Sequence, residues 1–101
     1  MALEIVTKSF DCELSIDEIL NVSESVPSTV TWQSKESHFD GDYVLGKFES
    51  TSSNKIKIKL YGERFHLEYW NRDSSSRNKI DELIDVLLSS FQASNIKEEV
   101  E

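Results

Sequence analysis

The chain has few of the residues that cross-link or interrupt a fold. Its 101 residues include one cysteine, one proline and three glycines. A single cysteine excludes an intramolecular disulfide, and so little proline and glycine is untypical of a disordered or low-complexity chain. With 38% hydrophobic residues, a domain of this length buries enough surface to fold without a disulfide or a structural metal.

Long apolar runs are absent from the sequence as well. No run approaches the roughly 20 apolar residues that a membrane-spanning helix needs. The first ten residues, MALEIVTKSF, have neither a basic leader region nor a continuous apolar stretch. Together with the unpaired cysteine, these absences predict a cytoplasmic protein without a membrane partner.

Basic residues are outnumbered by acidic ones and are concentrated in one part of the chain. The formal net charge is -8. Residues 47–79 hold eight of the eleven Lys and Arg against four acids, whereas the rest of the chain holds three bases and fifteen acids. An acidic chain repels nucleic acid and anionic membrane at long range, so neither is the expected partner.

The segment 55–70, KIKIKLYGERFHLEYW, has the strongest structural signal in the chain. Apolar and polar residues alternate on both sides of a Gly-Glu loop, and Gly62 suits the first central position of a type II′ turn. The resulting hairpin sets Ile58 against Leu67, and it places lysines and aromatic rings on the other face. A slip by one residue would mix the two faces, so the register is strongly specified.

A further strand is predicted over residues 43–50, and its pairing depends on the length of the next loop. A loop of two or four residues would set apolar side chains against charged ones. A three-residue loop, 52–54, pairs Glu49 with Lys57 and keeps the faces separate. The sequence therefore predicts a three-stranded meander with that register.

Two helices are predicted from capping and periodicity. Ser15 and Glu18 form a capping box, so a first helix begins at Ser15 and ends before Pro27. A second helix, from near Ser75 to about Asn95, follows from apolar residues at helical spacing. Those residues are Ile80, Leu83, Ile84, Leu87, Leu88 and Phe91.

The remaining segments complete a predicted order of β-α-β-β-β-β-α. Strands are expected at residues 3–8 and 28–33, and a polar loop with an Asp-Gly turn is expected at 34–42. This order predicts an α+β fold, a two-layer sandwich with a five-stranded, largely antiparallel sheet and two helices on one face. Residues 1–95 would form a single domain and 96–101 an acidic C-terminal tail. The first strand could lie parallel to strand 28–33 or on a different edge.

The outer face of the predicted meander is the candidate binding surface. Aromatic rings between lysines could anchor a protein partner or a second copy of the chain, or stack on single-stranded nucleic acid. The alternative is that the face satisfies itself, with Lys57 between Glu49 and Glu68. The candidate partner-binding residues are Tyr43, Leu45, Lys55, Lys57, Lys59, Tyr61, His66 and Trp70.

No catalytic, metal or cofactor motif is recognised. His38, Asp40 and Asp42 offer too few ligands for a hard cation, and His66 has no nucleophile beside it by register. An enzyme would require a concave pocket that gathers distant residues such as His38, His66 and Cys12. The sequence therefore predicts a non-catalytic protein without a metal or cofactor.

The predicted function is that of a small protein-binding or regulatory domain. It would contact a protein partner or form a homodimer through the open sheet face or through its acidic flank. The alternatives are an acidic inhibitor or immunity-type protein that neutralises a basic enzyme, and a single-stranded nucleic-acid binder.

Overall fold

A computed structural model describes residues 4–28, 30–39, 41–48, 55–71 and 77–100. The alternating segments form strands and the segments with helical periodicity form helices. In chain order the elements are β1 (Glu4–Asp11), α1 (Ile16–Ser25), β2 (Val30–Trp32), β3 (Glu36–His38), β4 (Gly41–Phe48), β5 (Lys55–Tyr61), β6 (Arg64–Asn71), α2 (Arg77–Ser90) and β7 (Ser94–Val100).

The strands form one sheet in the order β2-β4-β5-β6-β1-β7, with β3 also paired to β4. All of these described pairings are antiparallel. The predicted α+β class, with a largely antiparallel sheet and two helices, is confirmed. The predicted number of five strands is wrong, because β3 and β7 bring the sheet to seven.

β3 lies inside the segment that was predicted to be a polar loop. Glu36 pairs with Tyr43 and His38 pairs with Gly41, which makes β3 and β4 a hairpin. The segment is too short and too polar to show the alternation that identifies a strand. Its pairing depends on β4, which offers a free edge beyond the end of β2.

β7 occupies most of the predicted acidic tail, so that prediction is corrected. It pairs with β1 at the edge of the sheet. The Lys8 side chain on β1 is only 13% exposed, and its Nζ lies 3.5 Å from Glu98 of β7 and 3.6 Å from Asp85 of α2. An acidic strand is thus held by a nearly buried cation, a contact that the polarity of the segment does not reveal.

β1 lies between β6 and β7, at neither edge of the sheet and parallel to neither neighbour. Val6 pairs with Tyr69, and Phe10 pairs with Phe65. All four side chains are at most 4% exposed. β1 is therefore paired on both sides, and its apolar side chains Val6 and Phe10 lie in the core.

The core lies between the sheet and the two helices, which pack on the same face of the sheet. The ring of Phe10 stacks on Phe65 at 5.6 Å and on Phe91 at 6.2 Å, which joins β1, β6 and the end of α2. No helix in the described part of the chain is long and apolar enough to cross a membrane. The buried hydrophobic residues are Val6, Phe10, Ile16, Ile19, Val44, Ile56, Ile58, Phe65, Leu67, Tyr69, Ile80, Ile84, Leu87, Leu88 and Phe91.

The predicted start of α1 is confirmed by its cap. Ser15 Oγ accepts a hydrogen bond from the Glu18 amide at 3.2 Å, and Glu18 Oε1 accepts one from the Ser15 amide at 3.1 Å. This reciprocal arrangement satisfies two amides that the first turn leaves unpaired. The helix then buries Ile16 and Ile19 against the sheet.

α2 ends earlier than predicted because of its C-terminal cap. The Ala93 amide donates to the Leu88 carbonyl and the Gln92 amide to the Ser89 carbonyl, while Gln92 has a φ of 55°. These two bonds and the left-handed residue form a Schellman motif. Glycine usually occupies that position, so a glutamine there left the helix end unmarked in the sequence. The predicted start near Ser75 lies outside the described residues.

The left-handed conformation of Gln92 yields a stability prediction. Gln92→Gly should stabilise the domain by roughly 0.5–1 kcal/mol, because glycine adopts a positive φ without the steric cost of a β-carbon. Urea unfolding of the variant and the wild-type protein measures the difference. Ser90→Gly, inside the last turn of α2, is the control and should destabilise the domain. A destabilised Gln92→Gly variant would contradict the role of this cap.

Candidate functional site

The candidate surface is the sheet face that points away from both helices. Alternation along β4, β5 and β6 places ten described side chains on this face, and their exposure ranges from half-buried to exposed. We call this set the open face: Tyr43, Leu45, Lys47, Lys55, Lys57, Lys59, Tyr61, Arg64, His66 and Glu68. It contains seven of the eight candidate residues from the sequence.

Trp70, the eighth candidate, lies in β6 and pairs with Ile5 of β1. Its side chain is outside the described set. The predicted β5–β6 register is confirmed, with Lys57 opposite Glu68. Gly62 has a φ of 64°, as the first position of a type II′ turn requires.

The predicted β4–β5 register is wrong by four residues. Lys57 lies opposite Leu45 on β4 instead of Glu49, and Lys47 lies directly opposite Lys55. The faces stay separate because the shift is even, so the apolar pattern alone does not distinguish the two registers. Residues 49–54, which include the predicted loop, are outside the described part.

This register leaves the open face more cationic than the sequence suggested. Lys47 and Lys55 form a like-charged cross-strand pair, an arrangement that destabilises a sheet. No carboxylate in the described part of the chain lies within 4.0 Å of either ammonium group. The sequence predicted that Lys57 lies between Glu49 and Glu68. In the observed register its cross-strand neighbours are Leu45 and Glu68, so only Glu68 is acidic.

Aromatic rings accompany the lysines on this face. The Nζ atom of Lys57 lies 4.8 Å from the Tyr43 ring centroid, and that of Lys59 lies 5.7 Å from the Tyr61 centroid. Both distances permit a cation–π interaction. Tyr61 also meets the His66 ring edge-on at 6.0 Å. The rings orient the lysine side chains without neutralising their charge.

β3 contributes a contact that the sequence did not indicate. The Tyr43 hydroxyl donates a hydrogen bond to Glu36 Oε2 at 2.5 Å. This hydrogen bond, together with the nearby carboxylate charge, raises the pKa of the Tyr43 phenol above its ordinary value of 10.0. Glu36 therefore holds the ring that Lys57 approaches.

A shallow depression of about 110 Å³ lies at the centre of the open face. Lys57, Lys59, His66 and Glu68 line it. These are two directly opposed pairs, Lys57 with Glu68 and Lys59 with His66. The depression has room for a small polar group, and its lining has two ammonium groups against one carboxylate.

A larger hollow, of about 660 Å³, lies at one end of the sheet. Its lining includes Asp11, Glu13, Glu63 and Cys12. The Cys12 thiol donates a hydrogen bond to the Phe91 carbonyl at 3.1 Å and packs against the core. Cys12 lines this hollow, whereas His66 lines the depression on the open face.

Arg64 closes the same end of the sheet. Its Nη1 atom lies 2.8 Å from Asp11 Oδ1, and its Nη2 atom donates to the Asn95 carbonyl at 2.9 Å. Asn95 Nδ2 donates in turn to Asp11 Oδ2 at 2.7 Å. These bonds join β6, β1 and β7, so they serve the sheet. No group of three metal-ligating side chains comes together among the described residues.

Phe39 is the exposed residue that sequence reasoning missed. It lies at the tip of the β3–β4 hairpin and is 94% exposed, while Tyr61 is 58% exposed. The tip lies close to the end of β5, since a β-carbon on Gly41 would come 2.1 Å from the Leu60 carbonyl oxygen. The only sequence signal was a phenylalanine beside the Asp-Gly turn of a polar segment. Two exposed rings therefore stand at the same end of the sheet.

Comparison with known proteins supports the fold. No protein-family model and no curated protein matches the sequence. The solved structure of an adenosylmethionine decarboxylase from Aquifex aeolicus is similar, with a TM-score of 0.59 and 12% sequence identity. The alignment covers 98% of this chain and 88% of that one. At this identity the similarity concerns the architecture and not the chemistry.

The Tyr43–Glu36 contact predicts a shifted phenol titration. Glu36→Gln should lower the pKa of Tyr43, which the carboxylate raises. The raised pKa means that the folded domain favours the neutral Tyr43 phenol. The contribution of this phenol to the stability of the fold is therefore complete below about pH 10, and it is lost as the pH rises through the pKa of the folded state. NMR titration of ¹³C-labelled tyrosine side chains, assigned with Tyr43→Phe, measures the shift. Identical titrations in both proteins would refute the contact.

The Lys47–Lys55 pair predicts that the free domain is stabilised by removing one positive charge. Lys47→Glu should raise the free energy of unfolding by roughly 0.5 kcal/mol, because an opposite-charge pair replaces a repulsive one. Lys47→Gln, which removes the charge without inverting it, should give a smaller gain. Chemical denaturation at low salt resolves the series. Equal stability of all three proteins would mean that the two ammonium groups do not interact.

Proposed function

We propose that this chain is a small non-catalytic binding domain whose open face contacts an acidic surface of a protein partner. The observation that supports it best is the excess of lysines on the open face. Lys47 and Lys55 oppose each other, and Lys57 has one glutamate beside it. Oppositely charged surfaces accelerate encounter and select among partners.

The exposed rings at the end of the sheet support the same proposal. Tyr61 belongs to the open face, and Phe39 lies at the tip of the β3–β4 hairpin, at the same end of the sheet. Aromatic side chains dominate the binding energy of many protein interfaces. The lysines would then give specificity and speed of association, and the rings would give affinity.

A protein partner accounts for this face better than nucleic acid does. The net charge of -8 opposes the approach of a polyanion. Glu36 and Glu68 also lie among the lysines and rings of this face. A protein surface presents isolated carboxylates that such a mixed face accepts, whereas a continuous phosphate backbone would meet both glutamates.

The acidic flank supports a second candidate, an inhibitor of a basic protein. Asp17, Glu24, Glu82 and Asp85 are exposed on the two helices. The two helices hold six acidic residues against two basic ones, Arg77 and Lys79. The layer therefore stays acidic although Lys8 and Lys35 pair with Asp85 and Asp17. A basic enzyme could be bound by this layer, with the open face turned away.

Paired charge reversals distinguish the two candidates. The immobilised domain captures partners from an extract of its source, and the variants Lys57→Glu/Lys59→Glu and Glu24→Lys/Glu82→Lys are compared with it. The proposal predicts that the first variant loses the partner about tenfold while the second retains it, since only one surface is the interface. The opposite pattern would establish the inhibitor.

Two controls accompany the capture experiment. Size-exclusion chromatography with light scattering, on the wild-type protein and on Leu45→Ala/Trp70→Ala, shows whether the partner is a second copy. Identical monomer masses for the two proteins would exclude a homodimer. The same preparation, incubated with S-adenosylmethionine, should release no carbon dioxide; release would contradict the non-catalytic assignment and give the decarboxylase similarity a functional meaning.

A further inference from the structure

We infer that the acidic partner is recognised as an extended segment that runs along β5, with carboxylates on every second residue. This inference rests on the proposed function, and it specifies the ligand of the open face. Three features of the open face support it: the spacing of the β5 lysines, the repulsion between Lys47 and Lys55, and the central depression.

The spacing of the lysines matches an extended peptide. Lys55, Lys57 and Lys59 alternate along β5 on one face. A strand rises about 3.3 Å per residue, so their β-carbons repeat about every 6.6 Å. Alternate side chains of a second extended chain repeat at the same distance. An acidic segment with that pattern can place one carboxylate near each lysine.

The Lys47–Lys55 pair provides a first binding position for a carboxylate of the segment. The free domain bears the repulsion between these two cations, because no described carboxylate pairs with either. A carboxylate between the two ammonium groups converts a repulsive contact into two attractive ones. A ligand of opposite charge therefore gains more at this position than at an isolated lysine.

The central depression provides a second position. Lys57 and Lys59 line it together with His66 and Glu68, and its volume of about 110 Å³ has room for a carboxylate group. Glu68 limits the depression to a single negative group, which favours spaced carboxylates over a block of them.

The backbone of β5 is not available to the segment. β5 is hydrogen-bonded to β4 on one side and β6 on the other, so the ligand does not extend the sheet as an added edge strand would. Recognition relies on side chains alone. Binding should therefore be moderate and should weaken with salt, as exposed ion pairs do.

Synthetic peptides test this inference directly. The first is a fluorescein-labelled twelve-residue peptide that alternates Glu and Ser. The second has the same composition with its six Glu in one block. Fluorescence anisotropy at low salt should give at least about fivefold tighter binding of the alternating peptide, because only that peptide matches the lysine repeat. Equal affinities, or tighter binding of the block peptide, would overturn the inference.

Charge-matched variants locate the binding site. Lys57→Glu should weaken binding of the alternating peptide about tenfold, whereas Lys97→Glu on β7 changes the net charge equally and should weaken it less than about threefold. Circular dichroism melting confirms that both variants fold, and Lys57→Gln provides a milder replacement. Equal losses in the two glutamate variants would mean that the peptide senses net charge alone, which would overturn the inference.

Oligo-dT of twelve nucleotides is the comparison ligand. Tighter binding of oligo-dT than of the alternating peptide would assign the lysine row to nucleic acid and overturn the inference. Failure of this inference can be distinguished from failure of the proposed function. If the peptides bind equally but Lys57→Glu/Lys59→Glu still loses the captured protein, the extended segment is wrong and the open-face interface stands.

Discussion

The structure depends on the burial of one apolar sheet face beneath two helices. Alternation along the strands sends Ile56, Ile58 and Leu67 to that face, where they are fully buried. Burial of such side chains is worth roughly 1.5–3 kcal/mol each, so the sheet has a single stable orientation relative to the helices. Every second residue is consequently forced to the opposite face. The arrangement of lysines and rings on the open face is thus a consequence of the core pattern.

The helical layer and the open face also differ in charge. The helical layer is acidic and holds Lys8 and Lys35 in ion pairs, whereas the open face concentrates lysines on two adjacent strands. A net charge of -8 therefore conceals a cationic surface. The Lys47–Lys55 pair shows that this surface is not arranged for the stability of the free domain alone, because like charges placed opposite each other weaken a sheet. The proposed binding of an acidic partner would give a reason for that arrangement.

The parts of the fold that were predicted are those with a local signal. The capping box at Ser15, the apolar stripe of α2 and the β5–β6 hairpin each rest on neighbouring residues, and each is confirmed. The parts that were missed or misplaced depend on residues that are far apart in the chain. β7 is recognised only through Lys8 and the β1 backbone, and β3 only through β4. Seven of the eight candidate site residues lie on the open face as expected, whereas Phe39 was missed because a single aromatic residue in a polar segment has no periodicity.

The sequence by itself determined which residues are buried and which face the solvent on each strand, because a period of two is a local property of the chain. It also determined where α1 begins and where the hairpin turns. Only the tertiary structure decided the order of the strands, the interior place of β1 and the four-residue shift between β4 and β5. An even shift leaves the apolar pattern unchanged, so packing across the sheet selects the register. That selection places Lys47 opposite Lys55, and it makes the open face a cationic surface instead of a neutral one.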